Sequence, residues 1–147
     1  MIAPEAFDLI KRCEGLRLRP YLCPAKVWTI GWGATRDLDG SRVNHTTPTL
    51  TRPEAERLLH RDLDAVEAAV ARLVRVAISD RQCGALVSFT FNLGAGALQA
   101  STLLRRVNGG AWDDVPAQLL RWVHGAGKVL PGLVARRQAE AALWVSS

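Results

Sequence analysis

The sequence predicts an α+β chain with two lobes, a small antiparallel β lobe and a helical lobe, and a cleft between them. Three observations carry this. A short helical stretch is followed by a segment, 21–44, whose apolar residues alternate with period two. Every later apolar pattern has helical spacing. Two capping signals, at Thr51 and Ser79, mark where long helices begin. The 147 residues fit one domain, 1–147, and a domain of this size buries about 68–70% of the surface its unfolded chain exposes.

From Pro4, the apolar positions Phe7, Ile10 and Cys13 recur at helical spacing, and Gly15 supplies a stop, so a first helix ends at Glu14. Next, Trp28, Ile30 and Trp32 alternate with Thr29, Gly31 and Gly33, as in a strand. Pro24-Ala25-Lys26 and Asp39-Gly40 are the turn signals of this twisted sheet. Thr51 with Glu54 is a capping box, each side chain reaching the other residue's amide. Behind it Ala55, Leu58, Leu59, Val66, Val70 and Leu73 form one stripe to about residue 75.

Ser79 with Gln82 opens the next helix, through Cys83, Leu86, Val87, Phe89 and Phe91. It is apolar nearly all round, so it is expected at the centre of the helical lobe. Asn92-Leu93-Gly94 ends it. Further helices are predicted over 98–107, 112–123 and 133–144, separated by Gly109-Gly110 and by 125–132. Trp122, Trp144, Arg136 and Arg137 are expected to close the last helices onto the bundle.

With 48% hydrophobic and 22% charged residues the chain has ordinary globular usage, which excludes disorder, collagen and coiled coil. Nineteen basic against fourteen acidic side chains leave +5, including Lys11, Arg12, Arg17 and Arg19 near the first helix. Such a charge suits an anionic partner, nucleic acid or cell wall. No apolar run reaches the roughly 18 residues of a membrane span, so no stable membrane insertion is expected. Glu5 and Asp8 stand where a secretory signal needs a basic start and an apolar run, so synthesis in the cytoplasm without export is expected. Cys13, Cys23 and Cys83 lack ligand or disulfide-framework spacing, and His45, His60 and His124 are scattered, so no metal and no cofactor are expected. Cys13 and Cys83 lie on apolar helix faces and read as core.

Glu14 ends a helix, where unpaired carbonyls disfavour a second negative charge. A carboxyl kept protonated is what a general acid needs to protonate a leaving oxygen. The run Cys13-Glu14-Gly15-Leu16, Pro20-Tyr21-Leu22-Cys23 and Trp28-Thr29-Ile30-Gly31-Trp32-Gly33 sets Glu14, eight residues, Cys23, five residues, Thr29. This resembles the phage-type lysozyme family, glycoside hydrolase family 24. Phe89 to Gly94, Trp112-Asp113-Asp114 and Pro131 to Arg137 look like its later landmarks, so the resemblance covers nearly the whole chain.

The resemblance implies a lysozyme-like fold and hydrolysis of the β-1,4 bond between N-acetylmuramic acid and N-acetylglucosamine in peptidoglycan, causing host lysis. Glu14 would be the acid and Thr29 would hold the attacking water. Cys23 stands where the family commonly has Asp as base for water on the opposite sugar face, giving inversion. An ordinary thiol has a pKa of about 8.5, so only a few per cent is thiolate at neutral pH unless Lys26 or Arg12 lowers it. Three roles stay open for Cys23: thiolate base, electrostatic support, or placement of water. By position in the family pattern Thr35, Phe91, Asn92, Thr102 and Gln118 line the cleft and bind sugar. Phe91 also fits the core, and Tyr21 fits either the cleft or the sheet.

Three other functions compete with this one. A DNA-binding protein would read 79–110 as helix, turn, helix, but Leu98, Leu103 and Leu104 offer apolar faces for burial there. A lytic transglycosylase needs one acidic Glu and leaves 1,6-anhydro ends. A wall-binding module without catalysis would hold glycan uncut. The expected partner is therefore peptidoglycan and not nucleic acid. A monomer is expected, made in the host cytoplasm and acting on the wall in the periplasm after release by a separate factor.

Overall fold

The structure, a computed structural model, describes residues 2–146. They divide into two compact units, Glu14–Ala65 and residues 2–13 with 66–146. Elements are numbered in chain order: α1 Pro4–Glu14, β1 Arg17–Leu22, β2 Trp28–Gly31, α2 Arg52–Leu73, α3 Asp80–Leu93, α4 Ala95–Ala100, α5 Thr102–Asn108, α6 Val115–Leu119, β3 His124–Gly125, β4 Lys128–Val129 and α7 Pro131–Val145.

In the smaller unit β1 and β2 pair antiparallel, with Tyr21 opposite Thr29 and Leu22 opposite Trp28. The pairing starts at Arg17, four residues before the predicted start at 21, because Leu16 and Leu18 already alternate with the exposed Arg17 and Arg19. Continuous pairing also ends early, at Gly31. Gly31 (φ 67°) and Gly33 (φ 87°) turn the chain back so tightly that Ile30 and Ala34 exchange both backbone hydrogen bonds. Beyond them the expected sheet is reduced to an isolated Arg36–Arg42 bridge. Arg61 of α2 holds this loop by donating to the carbonyls of Asp37 and Arg36, at 2.6 and 2.9 Å. Ile30, Trp32, Ala34, Val43, Leu50, Ala55, Leu58, Leu59 and Leu63 form the buried core. The Thr51 capping box is present, with the Thr51 amide donating to Glu54 at 2.8 Å and the Glu54 amide returning to Thr51 at 3.3 Å.

The larger unit is built on α3, whose capping box at Ser79 and Gln82 is formed and whose residues 84–90 are buried. α1 approaches it closely, since a Cβ on Gly84 would stand 2.5 Å from that of Ala6. Ala6, Leu9 and Ile10 make the buried face of α1, but Cys13 is exposed and not core. One turn beyond Ile10 the helix has run past the core of its unit. Cys83 is half-buried, beside Val70, Val74, Val76 and Ile78.

Ser101 breaks the helix predicted over 98–107. It is extended (φ −85°, ψ 150°), donates to the Leu98 carbonyl at 2.6 Å and accepts the Leu104 amide at 3.0 Å. Its hydroxyl thus closes α4 and caps α5, the local competition that keeps serine out of helix interiors. The helix predicted over 112–123 is a 3-10 turn, Trp112–Asp114, followed by the short α6. A two-stranded hairpin then pairs His124 with Val129 across Ala126 (φ 51°) and Gly127 (φ 77°).

As expected, the tryptophans close the last helices, Trp122 edge-on to Phe89 at 5.4 Å and Trp144 to Trp112 at 5.8 Å. Arg136 and Arg137 are buried with Glu140, a charge the sequence does not announce as buried. Arg137 Nε is 2.8 Å from Glu140, Arg136 Nε 3.5 Å, and the Ser88 hydroxyl donates to the same carboxyl at 2.6 Å. Burial outweighs the pull of Arg137 and pushes the Glu140 carboxyl up to about 7.

Candidate active site

Five of the candidate residues, Glu14, Tyr21, Cys23, Thr29 and Thr35, belong to the Glu14–Ala65 unit. Gly15, at φ 71°, ends α1 directly after Glu14. The Glu14 carboxyl lies over Gly33, where a Cβ would come within 3.4 Å of Oε1. Gly33 thus borders the candidate acid, which motif spacing alone does not reveal. It stands in the Thr29-Ile30-Gly31-Trp32-Gly33 run, and the signal was its second glycine.

Cys23 follows β1 and Thr29 lies in β2, so the hairpin carries both. The Cys23 amide donates to the Val27 carbonyl at 3.0 Å, and the Lys26 amide donates to the Cys23 carbonyl at 2.7 Å. Thr29 is 5% exposed and its hydroxyl donates to the Val27 carbonyl at 3.0 Å. Hydrogen bonding from the Val27 backbone, supported by that of Ala25, holds the Cys23 thiol below the usual thiol range against the opposing effect of burial. Backbone hydrogen bonds thus do what was expected of Lys26 or Arg12.

Tyr21 is half-buried beneath the Arg17 guanidinium, 4.9 Å above its ring. Thr35 is exposed, its carbonyl accepting the Val43 amide at 3.0 Å. The other four candidates lie in the larger unit. Phe91 and Asn92 are half-buried near the end of α3, and Arg137 donates to Asn92 Oδ1 at 2.6 Å. Thr102 opens α5 and accepts from Arg105 at 2.9 Å. Gln118, in α6, accepts from Arg121 at 3.5 Å. Among the described residues no three His, Cys, Asp or Glu are grouped to hold a metal ion.

A model of the phage lysozyme family matches residues 11–140. The chain is 38% identical over 150 residues to an endolysin of Acyrthosiphon pisum secondary endosymbiont phage 1, covering 99% of this chain and 99% of that protein. Two solved structures are also similar. An endolysin from Escherichia coli O157:H7 phage FAHEc1 superposes with TM-score 0.89 at 33% identity, over 99% of this chain and 93% of the other. The muramidase domain of SpmX from Asticaccaulis excentricus gives 0.83 at 34% identity, over 100% and 99%.

Proposed function

The chain belongs to the phage lysozyme family, and on that premise we propose that it hydrolyses the β-1,4 bond from N-acetylmuramic acid to N-acetylglucosamine in peptidoglycan, with Glu14 as general acid and Cys23 as base. The observation that supports this is the hairpin, which carries Cys23 after its first strand and the buried Thr29 hydroxyl in its second, in the unit that opens with Glu14.

Glu14 gives its proton to the bridging oxygen as the C1–O bond breaks, and the remaining sugar takes on oxocarbenium character. The Thr29 hydroxyl hydrogen is committed to Val27, so toward a water it offers only lone pairs. A Cys23 thiolate likewise only accepts. A water that donates to both keeps an oxygen lone pair for C1. As it attacks, Cys23 takes its proton and the product inverts. Cys23 then gives that proton to solvent and Glu14 recovers one.

Thr35, Phe91, Asn92, Thr102 and Gln118 are proposed to bind the glycan, and the working form is a monomer that reaches the wall through a separate release factor. The test is digestion of purified peptidoglycan with analysis of the new ends by mass spectrometry and NMR. Reducing ends that appear first as the inverted anomer are expected. Anhydro ends would make it a transglycosylase instead, and binding without new ends would make it a wall-binding module.

A further inference from the structure

The hairpin that carries Cys23 has a loop whose sequence does not suit its geometry. Only Pro24, Ala25 and Lys26 separate the closing pair Cys23 and Val27. Three-residue hairpin loops of this kind combine a tight turn with a following residue in the left-handed region, a position that calls for glycine. Pro24 suits the first corner of that turn. The left-handed position is held by Lys26, at φ 61°. Backbone strain of this sort persists only when the surroundings enforce it, and it concentrates at functional sites.

We propose that Lys26 is a positioning residue for Cys23: its left-handed backbone closes the Cys23–Val27 turn and brings the amides of Ala25 and Val27 onto the Cys23 sulfur. This rests on the role given above to Cys23, and adds what sets the state of its thiol, namely backbone dipoles held by one strained residue. The low-lying thiol supports it, since the Val27 backbone is the first cause and the Ala25 backbone adds to it. The side-chain charge of Lys26 is then incidental.

Three variants separate backbone from charge. Lys26→Gly accepts the conformation without strain and removes the charge, and Lys26→Gln removes the charge while remaining an L-residue. Lys26→Val is β-branched and rejects the left-handed region. Iodoacetamide alkylation of Cys23 is followed across pH by mass spectrometry of its own peptide, so that Cys13 and Cys83 do not contribute. At pH 7 the Gly and Gln variants are expected within about twofold of the parent, and the Val variant about fivefold slower, with its rate–pH curve displaced upward. Gly or Gln as slow as Val would overturn the proposal, and so would Val at the parent rate. If circular dichroism shows that the Val variant does not fold, Lys26→Thr, which is also β-branched, takes its place against Gly. Peptidoglycan hydrolysis by Cys23→Ala is measured in parallel. Full activity there removes the catalytic role of Cys23, while alkylation still decides the effect of the turn.

Discussion

On the proposed mechanism Glu14 and Cys23 divide the proton chemistry between a carboxyl and a thiol, and each can be tested alone. Glu14→Gln is expected to fold normally but not to clear permeabilised Gram-negative cells, because an amide has no proton to give the leaving group. Turbidity loss above about a tenth of the parent rate would remove Glu14 from the acid role. If Cys23 is the base, as proposed, its ionised thiol is the active form. The rate should therefore climb with pH through a midpoint below the usual thiol range, the direction in which the Val27 backbone moves it. In Cys23→Asp that limb should shift several units lower, since Asp ionises near about 3.9. If the thiol only places water, the limb is absent and Cys23→Ser stays active. The three catalytic candidates are proposed from the sequence because their signal is linear spacing. The amides around Cys23 are not legible there, because they depend on the conformation of one loop residue.

At the scale of elements, strong periodicity and capping boxes were read correctly, and short elements were not. Ser101 and the 124–129 hairpin lie within or beside apolar runs that look helical, and only a local hydroxyl or a pair of positive φ angles redirects the chain. Arg136 and Arg137 were expected to close the last helices onto the bundle, but their buried partner Glu140 was missed, because charge on a helix is ordinarily solvated and only the folded unit shows it against Ser88. Glu140→Ala removes the counter-charge of two buried guanidinium groups, which is expected to destabilise the fold by about 3–5 kcal/mol. Urea unfolding measures this. A loss below about 1 kcal/mol would show that the guanidinium groups do not depend on the carboxyl.

For the whole molecule, the change of period at Thr51 announced a helical part after a β-rich part. The division between compact units, however, falls inside α2, between Ala65 and Val66, where no break in the stripe marks it. The charge of +5 is a property of the whole chain, and on the proposed function it bears on how the chain reaches an anionic polymer. Hydrolysis of intact walls should fall steeply with salt, as the Debye length shrinks to about 3 Å at 1 M, while cleavage of short neutral oligosaccharides changes little. Equal salt sensitivity on both substrates would show that long-range attraction is not the cause.

The contact of Ala6 with Gly84 joins residues that are far apart along the chain, with the whole Glu14–Ala65 unit between them. Bringing them together closes a large loop, which weighs more on the rate of folding than on final stability. As the chain leaves the ribosome, α1 is made first yet has no docking surface until α3 has emerged. The smaller unit lies wholly within that interval, so it can acquire its structure while α1 still waits.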